Sequence, residues 1–145
     1  MTPDENKAVV RRFYEEFFGK NNVGIVDELF TPDFQFHDAA NPDPGGGAEG
    51  YKRRNIVFLT AFPDRVITTE RQVAEADCVA TRSTLRATHT GDLPGIPATG
   101  RHVTITAIEI SRLVDGRIAE KWENWDALGM LQQLGVSSTS WGTKP

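Results

Sequence analysis

Apolar side chains near the start of the chain recur at helical spacing. Thr2 and Glu5 form a capping box around Pro3, and the helix behind it carries one broad apolar stripe. The stripe consists of Val9, Val10, Phe13, Tyr14, Phe17 and Phe18. Three further helices are predicted, at residues 23–30, 48–62 and 127–134. Gly135 stands where a C-cap glycine would end the last helix.

Alternating apolar and polar residues predict a set of strands. They cover residues 34–37, 66–74, 78–89, 102–113 and 117–125. Glycine and proline mark loops at residues 39–47 and 90–100. This order of elements predicts an α+β fold, with the helices on one side of a mostly antiparallel sheet. We expect a single domain over residues 1–136 and a flexible C-terminal tail over residues 137–145.

Composition narrows the class of protein. The chain has 145 residues, of which 39% are hydrophobic and 25% charged, which excludes disordered, collagen-like and membrane-spanning classes. A net charge of −4 disfavours a nucleic-acid surface. The polar N-terminus is unlike a secretory signal, and the single cysteine, Cys78, cannot form an internal disulfide. These features predict a cytoplasmic protein without nucleic-acid or membrane partners.

Four stretches of sequence carry a family resemblance when they are taken in order. They are residues 61–64, 88–101, 115–118 and 122–135, the last ending in LGMLQQLG. Over about residues 5–136 the chain resembles the SnoaL-like polyketide cyclases of the nuclear transport factor 2-like superfamily. The resemblance implies a cystatin-like cone, in which three to four helices wrap a curved sheet around an internal pocket for a small hydrophobic substrate. It also implies a homodimer.

The resemblance points to specific residues on the last two strands. In the family, an aspartate on the last strand performs the acid–base chemistry of an intramolecular aldol closure, and Glu123 stands at the matching position. The neighbouring strand of the family carries a glutamine and a histidine in the pocket. Ala107 and Glu109 occupy those positions here. The resemblance implies that Glu123 is catalytic, and we predict Glu109, beside it, as the second catalytic residue.

The turn at residues 115–116 decides whether the two glutamates share a face. A two-residue turn would pair Val114 with Arg117 and put Glu109 out of phase with Glu123. A three-residue turn would pair Leu113 with Arg117, with Glu109 facing Lys121 and Ala107 facing Glu123. The glutamates would then be diagonal neighbours, with their backbones roughly 7–8 Å apart. We favour the second register because it agrees with the resemblance.

That register predicts the charge state of the pair. Two carboxylates in a dry site do not both ionise easily, so one keeps its proton. Lys121 should hold Glu109 ionised and leave Glu123 with a raised pKa. The alternative is an ordinary ion pair between Glu109 and Lys121, with Glu123 in solvent.

Five other residues are candidates for contact with a substrate. His37 could line the pocket mouth or lie on the surface, and His89 points inward, into either the core or the pocket. Asp126 could reach the pocket or act as the N-cap of the last helix. Tyr14 and Phe18 belong to the core stripe and could also touch a ligand.

The two tryptophans of the last strand lie on opposite faces. We assign Trp125 to the pocket. The outer face of the sheet would then expose Ile108, Ile110 and Trp122, more apolar surface than a monomer should leave in water. A homodimer through this face is therefore expected.

The leading functional prediction is a cofactor-independent cyclase or isomerase. Glu123 would drive an intramolecular aldol cyclisation of a small polyketide-like carbonyl compound. The spacing of His37, His89 and Glu123 does not match a known metal motif, and Cys78 has no adjacent base. The alternatives are a non-catalytic small-molecule-binding module on the same fold, or a cofactor-independent hydroxylase or dehydratase.

Overall fold

The structure, a computed structural model, describes residues 1–40 and 45–136. The predicted tail at residues 137–145 and part of the loop at residues 39–47 lie outside the described residues. Within the described ranges, none of the helices has the length and apolar character that crossing a membrane requires.

The helices lie close to their predicted positions. They are α1 (Pro3–Phe13), α2 (Ile25–Leu29), α3 (Gly47–Ala61) and α4 (Ala127–Leu134). The capping box of Thr2 and Glu5 is present, and Gly135 ends α4 in the left-handed conformation. Both sequence predictions are confirmed.

One helix departs from the prediction in its winding. The first helix does not stay α-helical to Phe18, because residues Tyr14–Gly19 form a π-helical segment. A π turn holds more residues than an α turn, and such segments are common at functional sites. Tyr14, Phe17 and Phe18 all lie in this segment, and all three face the cavity described below.

Five strands form one sheet. They are β1 (Phe30–Asp38), β2 (Val66–Glu75), β3 (Cys78–Thr88), β4 (His102–Val114) and β5 (Arg117–Trp125). Their order across the sheet is β1-β5-β4-β3-β2. The pairing of β1 with β5 is parallel and the other three pairings are antiparallel. The predicted α+β fold with a mostly antiparallel sheet is confirmed.

The register of the β4–β5 hairpin corrects the sequence prediction. Val114 pairs with Arg117 across a two-residue turn, so the predicted pairing of Leu113 with Arg117 is wrong. Asp115 and Gly116 have φ angles of 49° and 79°, the left-handed values that a tight hairpin turn requires. Glycine at the second position adopts this conformation without steric cost.

A β-bulge restores the shared face that the tight turn alone would abolish. Leu113 pairs with Ile118 and Arg112 with Glu120, which leaves Ala119 as an extra residue in β5. The bulge moves every later residue of β5 by one position. Glu109 therefore lies directly opposite Glu123 rather than opposite Lys121, and Ala107 lies opposite Trp125 rather than Glu123.

The core consists of two clusters of buried apolar side chains. One gathers α1, the π segment, α2 and β1 around Phe13, and the other gathers α4 and the loop before β4 around Phe62. Residues from both clusters line the same cavity. The fold therefore leaves a pocket at the place where its two hydrophobic cores meet.

Candidate active site

Three carboxylic acids form a row across three adjacent strands. Glu123 of β5 is flanked by Asp38 of β1 on one side and by Glu109 of β4 on the other. Directly paired residues in neighbouring strands project to the same face of the sheet. The row therefore places three acids side by side beneath the helices.

The first outer acid of the row, Asp38, is tightly held. Its side chain is fully buried and forms an ion pair with Arg54 of α3. The indole Nε1 of Trp125 donates to both carboxylate oxygens, at 3.1 and 3.2 Å, and the amide of Ala40 donates at 2.8 Å. A buried carboxylate with a cation and three further hydrogen bonds is well compensated for its loss of water.

The other outer acid, Glu109, has an equally complete set of partners. Lys121 Nζ donates to Glu109 Oε1 at 2.6 Å, and the Tyr14 hydroxyl donates to the same oxygen at 2.9 Å. The Lys121 ammonium also lies 4.0 Å from the centroid of the Phe13 ring, so an aromatic face helps to stabilise its charge. Burial, followed by the charge of Glu109, raises the pKa of Tyr14 well above its usual value. Tyr14 therefore keeps its proton and remains a donor.

Glu123, at the centre of the row, has no cation of its own among the described residues. Burial is the largest cause of a raised pKa at Glu123, followed by the charges of Glu109 and Asp38. Lys121 opposes this shift, whereas a hydrogen bond with Glu109 adds to it, because only protonated Glu123 can donate that bond. The predicted upward shift of the Glu123 pKa is confirmed in direction.

Glu123 opens onto a cavity between the sheet and the helices. The cavity is lined mainly by aromatic and aliphatic side chains, with a few polar ones among them. The lining residues are Tyr14, Phe17, Phe18, Phe36, Asp38, Tyr51, Arg54, Asn55, Phe58, Arg65, Ile67, Ser83, Leu85, Ile105, Ala107, Glu123 and Trp125. An apolar pocket with few, convergent polar groups is typical of a small-molecule site.

Five of the candidates named from the sequence meet in this cavity. Tyr14, Phe18, Ala107, Glu123 and Trp125 all contribute to its lining. Glu109 is 2% exposed and lies behind the lining, where it contacts the cavity only through its neighbours.

Three candidates lie elsewhere. His37 is exposed on the outer face, where its Nε2 lies 2.6 Å from Glu120 and its ring stacks on Trp122. His89 is fully buried, with its Nδ1 3.0 Å from the Thr99 hydroxyl, and burial lowers its pKa. Asp126 accepts a hydrogen bond from the amide of Gly129 at 2.8 Å and is the N-cap of α4.

Several cavity residues were not singled out from the sequence. Asp38 could have been found, because it continues the alternation of Phe34 and Phe36 along β1. Asn55 could also have been found, because it follows Tyr51 by one helical turn on α3. Arg65 lies in the turn before β2, where no periodic pattern indicates its direction.

The described residues contain no group of three histidine, cysteine or acidic side chains arranged to hold a metal ion. The acidic row therefore differs from a metal site in its geometry. Its partners are the cations Arg54 and Lys121.

Comparison with known proteins connects this site to a family. The sequence profile of the SnoaL-like polyketide cyclases matches residues 8–134. The chain belongs to this family. The resemblance stated from the sequence is confirmed.

Individual relatives agree with this membership. The chain is 40% identical over 136 residues to the aklanonic acid methyl ester cyclase DnrD of Streptomyces peucetius, with 88% of each chain covered. It is 31% identical over 134 residues to the enzyme of the same name, DauD, of Streptomyces sp. strain C5, covering 88% of this chain and 80% of DauD. The crystal structure of IdmH from Streptomyces antibioticus superposes with a TM-score of 0.79 at 33% identity, covering 90% of this chain and 99% of IdmH.

Proposed function

We propose that the protein is an acid–base cyclase in which Glu123 first accepts and then returns a proton. The observation that carries this proposal is the position of Glu123 between Asp38 and Glu109, each of which has its own cation. Glu123, the central carboxyl, lies in the negative electrostatic potential of its two neighbours and has no cation of its own within the described part of the chain. A carboxyl whose pKa is raised by burial in an apolar pocket is suited to accept a proton and then return it.

The proposed reaction begins at a carbon that lies between two carbonyl groups of the substrate. Ionised Glu123 takes a proton from this carbon, and the electron pair of the broken C–H bond spreads onto the carbonyl oxygens. The enolate carbon then bonds to another carbonyl carbon of the same molecule, and the oxygen there becomes an alkoxide. Glu123 donates its proton to that alkoxide, which completes the ring and restores the carboxylate. The substrate's own carbonyls hold the charge, so the proposed sequence needs no cofactor.

Glu109 has a supporting role in this proposal. Tyr14 and Lys121 both donate to Oε1 of Glu109, which leaves its other oxygen for the proton of Glu123. Glu109 thus sets the pKa and the orientation of Glu123, and it acts as a positioning residue. The rigid aromatic walls would orient the substrate, which is a large part of the advantage of an intramolecular closure.

We also propose the substrate class. DnrD and DauD carry the name of aklanonic acid methyl ester cyclase, so a polyketide-derived carbonyl compound is the first choice for this chain. Phe17, Phe36 and Phe58 line the cavity, and their rings favour a flat, unsaturated ligand.

The test replaces Glu123 with glutamine and measures turnover of aklanonic acid methyl ester. Glutamine keeps the size and can still donate to Glu109, but it cannot exchange a proton. We expect turnover to fall by at least about 10²-fold while the protein remains folded. Glu75→Gln, at an exposed position on β2, is the matched control and should leave turnover unchanged.

Other outcomes would contradict separate parts of this proposal. Turnover of Glu123→Gln within a few-fold of wild type would remove Glu123 from the chemistry. Tight binding of the ester by the wild type without any turnover would favour a binding module. If the wild type shows no binding and no turnover of the ester, the substrate class is refuted.

A further inference from the structure

The part of the cavity wall formed by α3 and the turn that follows it carries hydrogen-bond donors that have no acceptor among the described residues. Both polar atoms of the Asn55 amide are buried without a partner among the described residues, and this residue is only 7% exposed. Arg65 Nε and Nη2 are likewise buried and unpartnered within the described part of the chain. Buried polar groups are nearly always paired, so unpaired donors on two residues that line one cavity point to a ligand. Both residues line the cavity into which Glu123 opens.

Arg65 is also unusual in its charge balance. Asp38 is paired with Arg54 and Glu109 with Lys121, but Arg65 has no carboxylate partner among the described residues. Its guanidinium packs 5.3 Å from the centroid of the Phe18 ring, which holds it against the pocket wall. A guanidinium keeps its charge in proteins, and a half-buried cation without an anion is costly. The site therefore carries one extra positive charge whenever Glu123 is protonated.

We propose that Arg65 and Asn55 form the subsite for the anionic oxygen of the substrate enolate. The proposal rests on the acid–base role of Glu123. When Glu123 takes the proton from carbon, one negative charge moves from its carboxylate to the substrate oxygen. The N–H groups of Arg65 and Asn55 supply the donors for that oxygen. The net charge of the site stays constant through the step, because the negative charge moves from Glu123 to the enolate within the same cavity.

This arrangement accounts for donors that the protein leaves unpaired. Fixed donors in a cavity poor in water stabilise a developing oxyanion without reorganising, and this is commonly a large contribution to catalysis. Donors already bonded to protein acceptors would have to exchange partners during the reaction. The ligand class that fits the subsite is an oxygen anion conjugated to a flat unsaturated body, such as an enolate or a phenolate.

The test measures binding of a nitrophenol, whose phenolate form mimics an enolate and absorbs visible light. Glu123→Gln serves as the parent, because it mimics the protonated acid, the state in which the site carries one extra positive charge. We expect this parent to bind the phenolate in preference to the neutral phenol. Adding Arg65→Gln should weaken phenolate binding by at least about tenfold, since a charged hydrogen bond is lost. Asn55→Ala should weaken it by a smaller factor.

Controls keep the outcome specific. Arg53→Gln changes an exposed arginine of α3 that does not line the cavity, and it should leave phenolate binding unchanged. Arg65→Lys restores the charge without the planar guanidinium and should recover part of the affinity, which shows that the loss is not a folding defect. Urea unfolding of each variant confirms that it is folded.

Equal phenolate affinity with and without Arg65 in folded protein would overturn the inference, and so would a parent that binds no phenolate. Neither result depends on turnover. Retained turnover by Glu123→Gln would instead refute the proposed function, even if the phenolate still bound through Arg65.

Discussion

At the scale of single residues, the site depends on which acid has a cation and which has none. The strand pattern and the family resemblance together predicted Glu123 and Glu109 as neighbours. Asp38 was missed although it continues the phase of Phe34 and Phe36 on β1. Arg65 could not have been predicted, because its direction is set by the turn after α3 and by packing on Phe18.

The charge of Glu109 should control the proton on Glu123. Replacing Glu109 with glutamine removes a neighbouring negative charge. The positive charge of Lys121 then acts more strongly on Glu123. Both changes favour the ionised form, so the Glu123 pKa should fall towards the usual glutamate value of about 4.3. Carboxyl NMR titration of both proteins measures this shift. Glu120→Gln, on the outer face, is the control, and an unchanged Glu123 pKa in Glu109→Gln would mean that the two carboxyls do not communicate.

The raised pKa of Glu123 should also cost stability at high pH. Between the unfolded pKa, about 4.3, and the raised folded value, the folded state binds more protons than the unfolded state. The contribution of Glu123 therefore falls as pH rises through that window. Glu123→Gln removes the penalty, so it should be more stable than wild type above the window and should lose this advantage below it. Urea unfolding across the pH range measures the difference, and a difference that is the same at every pH would contradict the prediction.

At the scale of elements, the strands and helices followed from their periodicity, but the hairpin register did not. A tight turn and a three-residue turn both suit Asp115 and Gly116, so these two residues do not decide the register by themselves. The sequence indicates the bulge at Ala119 only weakly. Ile118 and Ala119 are consecutive apolar residues, and both are buried, which strict alternation forbids.

The last helix provides a test of a candidate that the structure places outside the cavity. Asp126 caps α4 through the amide of Gly129, so Asp126→Ala should destabilise the protein by about 1 kcal/mol. Asp126→Asn keeps a capping oxygen and should remain near wild type. Urea unfolding measures both variants. Turnover of folded Asp126→Ala should be unchanged, and a large loss of turnover would return Asp126 to the site.

At the scale of the whole molecule, the two faces of the sheet differ in the side chains they carry. The inner face carries the acidic row under the helices, and the outer face carries apolar side chains that no described element covers. Ile108, Ile110 and Trp122 are 54%, 41% and 38% exposed. The sequence predicted this exposure from alternation alone, because residues on either side of Glu109 and Glu123 must point outward.

We therefore predict a homodimer through the outer face of the sheet, with two-fold symmetry. Pairing two copies would bury the same apolar patch twice, which a closed two-fold interface permits. Sedimentation at micromolar concentration should give the dimer mass for wild type. Ile108→Lys puts a charge into the patch and should shift the mass to that of a monomer. Ile56→Lys is the matched control, because Ile56 is equally exposed, at 54%, but lies on α3, away from the sheet. A monomeric wild type, or equal effects of the two lysines, would contradict this assignment of the interface.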